Sequence, residues 1–373
     1  MNALYRQLYE KLRSDIEEHR IAVGDRLPPE AELVETHQVS TITIKRALDL
    51  LRTDGFIVRR PRLGTFVISD VQTAGFAEQP AGGARPLIGF VITNFDDTFG
   101  TKIIGGAMDE AQDRAALVIN RTLGDQSAED RVIRALVDSG AKAIILEPSS
   151  SEFVPPVVLE LITRSFPLVI IDRLLDGVPV STVASDNVAG ARQATEHLIK
   201  LGHRRIGLIT SAGPVSTLDE RRQGFLLANA TASVDHDERN EFRGVESTRP
   251  FSSTPIEDDL DALTEFVAAR RDLTGFVVSE FNIALMLREA CRRLDLEIPR
   301  HRSVVCFDHP DLFFDRAAFR FTHVRQDQDA LGRRCVEQAL AQLDDPGAIG
   351  KHTLPTTLVP GDSTRKLRTR KPA

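Results

Sequence analysis

Several short apolar runs in this sequence stop on side chains able to hold a small polar molecule. Leu168–Ile171 stops on Asp172-Arg173, Val304–Phe307 on Asp308, and Gly275–Val278 on a segment containing Glu280. Ala143–Leu146 stops on Glu147-Pro148 and Leu87–Thr93 on Asn94-Phe95-Asp96-Asp97. A carboxylate accepts hydrogen bonds and a guanidinium donates them, so Asp172 with Arg173 can meet both halves of a small polar ligand's requirement. A second group of residues carries other chemistry. Ser40, Thr41, Thr43, Lys45 and Arg46 fall in the first two turns of a helical pattern, and the basic tip Arg59-Arg60-Pro61-Arg62 precedes Gly64-Thr65-Phe66-Val67. The N-terminal turns of a helix so placed reach base edges in the DNA major groove. Arg can grip guanine through two hydrogen bonds. A hairpin carrying Arg60, Arg62, Gly64 and Thr65 is expected along the backbone or minor groove.

The elements that must position these groups follow from periodicity. Leu4, Leu8, Leu12 and Ile16, with Tyr5 and Tyr9 beside them, give a first helix one apolar stripe. Gly24-Asp25 turns the chain. Pro28-Pro29-Glu30 starts a second, short helix reaching about His37, since Pro is tolerated in a first turn. Ser40 is a good N-cap for the third helix, which buries Ile44, Ala47, Leu48 and Leu51 and ends at Gly55. Phe56-Ile57-Val58 and Thr65-Phe66-Val67 are short enough to pair as a hairpin. Gly75, Pro80, Gly82, Gly83 and Pro86 then mark a linker.

From Leu87 onward short apolar runs alternate with helical patterns. Strands are expected at Leu87–Thr93, Leu117–Ile119, Ala143–Leu146, Leu168–Ile171, Arg205–Thr210, Gly275–Val278 and Val304–Phe307. Helices are expected at Gly106–Arg114, Ala128–Ser139, Pro156–Arg164, Ala191–Leu201, Arg221–Ala230 and Ile283–Leu294. Such alternation implies an α/β fold with parallel sheets and helices on both faces. About 270 residues is large for one such sheet, so two lobes with a cleft between them are expected. In open α/β sheets ligands bind beyond the carboxyl ends of strands, where the acidic and basic groups above gather. The expected boundaries are 1–70 for the head, 71–86 for the linker, 87–360 for the body and 361–373 for a basic disordered tail.

Composition narrows the function. The hydrophobic content of 42% and charged content of 27% fit a soluble globular protein. No apolar run approaches a membrane span, and the first residues have no apolar signal core. Three scattered cysteines, Cys291, Cys306 and Cys335, suggest a reducing cytoplasm and offer neither a disulfide framework nor a zinc site. No metal or other cofactor is expected. The net charge is −7, so any duplex binding must be local. Lys45, Arg46, Arg52, Arg59, Arg60 and Arg62 stand against only Asp49 and Asp54 in that stretch, a small basic footprint inside an acidic chain. No Gly-x-Gly-x-x-Gly, Walker, Gly-x-Ser-x-Gly or His-Glu-x-x-His pattern occurs, so an enzyme is not expected.

Two resemblances follow from these residues. Gly24-Asp25-Arg26-Leu27-Pro28-Pro29-Glu30, the Ser40–Leu51 helix and Gly64-Thr65-Phe66-Val67 resemble the winged helix-turn-helix of the GntR family of bacterial regulators. Thr41 stands where that family usually has Arg, and Arg62 where it usually has Gly. Phe166–Arg173, Ser185–Ala191, Leu198–Gly207 and Arg221–Phe225 resemble the LacI/GalR effector-binding domain, which is itself similar to periplasmic sugar-binding proteins. A GntR-type head on a LacI-type body resembles the arabinose-responsive repressors. The resemblance implies that Asp172, Arg173, Arg221, Asp308 and Gln326 bind a sugar, with Asp97 and Phe99 supplying a polar group and a stacking ring. Glu280 occupies a position that is often Asn or Asp. It would change which hydroxyls are read or admit a more cationic ligand. The implied partners are operator DNA, a small carbohydrate, and a second copy of the chain. The alternatives are a solute-binding or sensor protein without specific operator binding, and an enzyme fused to a DNA reader.

Overall fold

The computed structural model describes residues 4–60, 64–70, 85–175, 177–310 and 317–367, with the side chain of Arg60 excepted. Arg62 and nearly all of the expected linker lie outside the described residues. The chain separates into two compact units, Met1–Ala84 and Arg85–Ala373.

In the first unit α1 (Leu4–Glu17) buries Leu8, Tyr9, Leu12 and Ile16, while Leu4 remains exposed. Helix α2 (Glu30–His37) begins directly after Pro29, and Gln38 takes a left-handed φ of 49° to turn the chain. Ser40 caps α3 (Thr41–Thr53), its hydroxyl accepting from the Thr43 N–H at 3.3 Å. Ile44, Ala47 and Leu51 are fully buried, and Leu48 is only half-buried. Strands β1 (Ile57–Arg60) and β2 (Gly64–Val67) pair antiparallel. A third edge, not expected from the sequence, joins them: Arg26 bridges to Phe66, and the Leu27 N–H donates to the Thr65 carbonyl at 2.8 Å.

The second unit begins with β3 (Leu87–Ile92), α4 (Thr101–Ala111), β4 (Ala116–Arg121), α5 (Gln126–Asp138), β5 (Ala143–Leu146), α6 (Pro156–Thr163), β6 (Leu168–Ile171) and β7 (Ser181–Ser185). It continues through α7 (Asn187–Lys200), β8 (Ile206–Ser211), α8 (Ser216–Thr231), β9 (Glu241–Val245), α9 (Ile256–Ala269), β10 (Gly275–Val278), α10 (Phe281–Arg293), β11 (Ser303–Phe307) and β12 (Thr322–Arg325). Helix α11 (Gln328–Asp344), β13 (Lys351–Leu354) and β14 (Thr357–Val359) complete it. One sheet has the order β13-β7-β6-β5-β3-β4 with every neighbour parallel; the other runs β14-β12-β11-β10-β8-β9, parallel except for β14. Fully buried strands such as β5 and β6 explain the unbroken apolar runs of the sequence.

The chain passes between the sheets three times, at Asp186, at Gln326-Asp327 and at Pro355-Thr356. The Asp186 N–H donates to the Leu354 carbonyl at 2.8 Å and so ties two of these passages together. Each lobe also contains one very close helix crossing. A Cβ on Gly332 of α11 would stand 2.0 Å from the Ile103 carbonyl oxygen of α4, and one on Gly224 of α8 would stand 2.1 Å from that of Val188 in α7. Backbone cannot yield there without separating the helices. Gly332→Ala is therefore expected to destabilise the body by about 1–3 kcal/mol, read as a lowered thermal midpoint; an unchanged midpoint would refute the close crossing.

The tail expectation needs correction. Residues 361–367 are not a loose end. The Ser363 side chain is fully buried, its carbonyl accepts from the Val304 N–H at 2.9 Å, and its hydroxyl accepts from the Thr322 N–H at 2.8 Å. Further along, the Leu367 N–H donates to the Leu201 carbonyl at 2.8 Å. Basic composition suggested a solvated segment, but small hydroxyl residues among the charges let the backbone dock. Residues 368–373 lie outside the described residues.

Candidate ligand cleft and nucleic-acid face

Between the two lobes of the body lies a cleft of about 190 Å³, lined by strand ends from both sheets. Pockets for drug-sized ligands run to roughly 300–1,000 Å³, so this space suits something smaller. Of the residues expected from the sequence, Phe99, Asp172, Arg173, Arg221, Glu280, Asp308 and Gln326 all line it. Asp97 does not: it is exposed, and its neighbour Asp96 lines the cleft instead. The Asp96 carboxylate accepts from the Thr98 N–H at 2.7 Å and the Phe99 N–H at 3.1 Å, folding the loop so that Asp97 falls outside. Thr248, Phe281 and Phe307 line the cleft without having been singled out, and so does Glu147, which the sequence placed at a strand end but outside the named ligand set. The position of Glu147 at a strand end was the available signal.

The two lobes present equivalent aspartates. Asp172 follows β6 with φ 67° and Asp308 follows β11 with φ 57°, both in the left-handed region that non-glycine residues rarely adopt. The Asp172 N–H donates to the Val183 carbonyl of β7 and the Asp308 N–H to the Val324 carbonyl of β12, each at 2.9 Å. Strained backbone of this kind costs of order 1–3 kcal/mol per residue and concentrates at ligand sites.

Around these aspartates the polar groups are unevenly satisfied. Arg173 holds Glu147 through Nη2 at 3.1 Å and donates from Nη1 to the Pro148 carbonyl. Arg221 donates from Nε to Asn187 Oδ1 at 2.9 Å and from Nη1 to the Ser279 carbonyl at 2.6 Å, with its guanidinium 4.0 Å above the Phe307 ring centroid. Gln326 donates to Asp308 Oδ2 at 2.6 Å. Gln328, which the sequence reading did not single out, donates to the Thr98 carbonyl at 2.8 Å while its oxygen accepts from the Gly100 N–H at 3.1 Å. Of the buried side-chain atoms without a hydrogen-bond partner among the described residues, three belong to side chains that line the cleft: Asp172 Oδ1, Arg173 Nε and Gln326 Oε1. Two are acceptors and one a donor.

The electrostatics favour carboxyls that hold their protons more tightly than usual. Burial pushes Glu147 and Asp172 up against the pull of Arg173, and pushes Glu280 up against hydrogen bonds from Ser211 and Thr248 and the charge of Arg221. Burial likewise raises Asp308 to about 6, with Arg221 and Gln326 pulling the other way.

In the head, Ser40, Thr41, Lys45 and Arg46 are exposed along the first turns of α3, with Thr43 half-buried. The Ser40 and Thr43 hydroxyls lie 2.9 Å apart, and the Arg46 guanidinium sits 5.9 Å from the Tyr5 ring centroid. Lys45, Arg52, Arg59 and Thr65 line a shallow concavity with Glu30, which pairs with Arg59 at 3.4 Å. Gly64 opens β2 with φ 112°, where a Cβ would meet Arg26 Nε at 2.5 Å. Its identity is thus fixed by backbone conformation, since the flexible end of Arg26 could move aside. The three cysteines are free and buried. No helix among the described residues is long and apolar enough to cross a membrane, and none of their side chains form a group that could hold a metal ion.

Comparison with known proteins agrees with this anatomy. The family model for bacterial regulatory proteins of the gntR family matches residues 4–67. Those for the periplasmic binding protein domain and the periplasmic binding protein-like domain match residues 88–277 and 195–364. The chain is 25% identical over 372 residues to the arabinose metabolism transcriptional repressor of Geobacillus stearothermophilus, covering 97% of this chain and 98% of that one. It is 25% identical over 266 residues to the HTH-type transcriptional regulator GalR of Escherichia coli, covering 69% and 72%. Among solved structures, a LacI family transcriptional regulator from Enterococcus faecium with bound ribose superposes with a TM-score of 0.62 at 18% identity, covering 76% of this chain and all of that one. With buried parallel strands, a two-lobed cleft and a capped helix before an antiparallel hairpin all in place, the chain belongs to the periplasmic binding protein domain family and carries a gntR-family regulatory head, the build of a transcriptional regulator.

Proposed function

We propose that the chain is a DNA-binding repressor whose effector is a small carbohydrate, a pentose such as arabinose, held in the cleft by Phe99, Asp172, Arg173, Arg221, Glu280, Asp308 and Gln326. The observation that carries this reading is a cleft of small-molecule size lined by Asp172, Arg173 and Gln326, each of which keeps one buried polar atom without a partner: Oδ1, Nε and Oε1. Each such atom costs about 1–3 kcal/mol while it lacks a partner. A hydroxyl both donates and accepts, so a polyol suits a lining that offers carboxylates, guanidinium groups and an amide together. Phe99 and Phe281 offer apolar surface for the ring carbons. A homodimer binding two half-sites is the arrangement expected of such a regulator, and the ligand must prefer one lobe angle if it is to alter DNA affinity. We infer that it releases DNA.

A thermal-shift screen with pentoses and hexoses tests the cleft. A ligand at 100 times its Kd raises stability by about 2.7 kcal/mol. A panel in which no sugar moves the midpoint would defeat the carbohydrate assignment. For the head, Arg46→Ala is expected to weaken specific DNA binding by about 1–3 kcal/mol if it reads a base, measured by fluorescence anisotropy across a salt series. Unchanged affinity at every salt concentration would remove Arg46 from the interface.

A further inference from the structure

The polar face of α3 contains one residue out of keeping with it. Ile42, at the second position of the helix, is 67% exposed. The buried side of the helix is Ile44, Ala47 and Leu51. Ile42 points away from it and shares its face with Lys45, Arg46 and Asp49, the residues three, four and seven positions on, all of them exposed. A β-branched apolar side chain gains nothing from water there and is a mediocre helix former. Its immediate neighbours Ser40, Thr41 and Thr43 are hydroxyl residues.

Charge complementarity decides what covers this face. Lys45 and Arg46 share it and outweigh the single carboxylate of Asp49, which suits a polyanion and not a second apolar protein surface. In the major groove every base edge presents hydrogen-bonding atoms, and the only apolar group is the C5 methyl of thymine. An isoleucine pressed against any other edge leaves a donor or acceptor without a partner, which is costly. Against thymine it buries methyl on methyl.

We propose that Ile42 is a specificity-determining residue that reads the C5 methyl of one thymine in each DNA half-site. This deepens the proposed function and rests on the head binding duplex DNA. The side chain is presented on a rigid element, because the Ser40 cap fixes the first turn of the helix, and Thr41 and Lys45 stand next to it to contact neighbouring phosphate or base edges.

The test uses the full chain. Duplexes are selected from a random library, and each thymine of the selected site is then replaced singly by deoxyuridine, which removes only the methyl. Wild type is expected to lose about three- to fivefold in affinity at one thymine per half-site, the effect of one buried methyl-sized group. Ile42→Ala should bind the thymine and uracil duplexes equally well, and Ile42→Thr, which keeps one methyl, should fall between. The proposal is overturned if no thymine in the selected site depends on its methyl, or if Ile42→Ala keeps the full thymine preference. Failure to enrich any sequence would instead bring down the DNA-binding reading of the head, a result distinct from a selected site that is indifferent to uracil.

Discussion

Arg173→Ala is expected to lower the thermal midpoint of the body sharply and to abolish its response to ligand. The Glu147 side chain is 5% exposed and the Arg173 side chain 14%, with 3.1 Å between their charged atoms. Asp172 is buried beside them and depends on the same cation. Forming a buried ion pair yields little net stability, because desolvation offsets the attraction. Removing one partner is different, since the other charge is left uncompensated at a cost of about 3–5 kcal/mol. The Arg173 variant should therefore fail twice, once by destabilisation and once by losing donors for the ligand. The two failures separate in the double variant. Adding Glu147→Gln to Arg173→Ala removes the stranded charge and should restore a large part of the lost stability, measured by calorimetry, without restoring sugar binding. Below its own midpoint each variant should still bind DNA in the absence of ligand. A single variant that melts within a degree of wild type would show that Arg173 does not neutralise Glu147.

Asp308→Asn is expected to make the ligand-free body more stable near neutral pH and to weaken ligand binding. Burial raises the Asp308 carboxyl to about 6 from an ordinary value of 3.8. A carboxyl with a raised folded-state value favours the folded state fully only below its unfolded value, and that contribution is lost as pH rises through about 6. At pH 7.5 the ionised group therefore costs stability, up to about 3 kcal/mol by linkage. Asparagine carries no charge, and its oxygen can still accept from Gln326 Nε2 as the carboxylate does at 2.6 Å. The variant's advantage should be largest above pH 7 and should shrink between pH 6 and pH 4. An advantage that is the same at pH 4.5 and pH 7.5 would show that the wild-type group does not titrate in that window.

Much of this architecture was legible because its signals are local. The Ser40 cap, the stripe of Leu8, Leu12 and Ile16, and the solidly apolar β5 and β6 each depend on a few adjacent residues. The missed elements have mixed faces. Strand β9, Glu-Phe-Arg-Gly-Val, is a partly exposed edge. Helix α11 buries Gln328, Gln338 and Gln342 among its apolar residues, which blurs the stripe that would have marked it. Helix α9 buries Asp259, whose carboxylate accepts from the backbone N–H groups of Glu246 and Ser247. In the cleft, strand-end residues were readable by type. The exchange of Asp97 for Asp96 was not, because it depends on how one loop closes. Nor was Gln328, whose partners Thr98 and Gly100 lie 230 and 228 positions away in the chain.

The paired aspartates at φ 67° and 57° have a consequence for selectivity. Each carboxylate is anchored by its own main chain to the strand beside it, so neither can move toward a ligand without breaking that anchor. Their spacing is then set by the conformation of the three passages between the sheets. In the proposed function the body would act as a pair of callipers, and a molecule too short to be gripped by both jaws at once would adhere to one of them while leaving the opening angle unchanged.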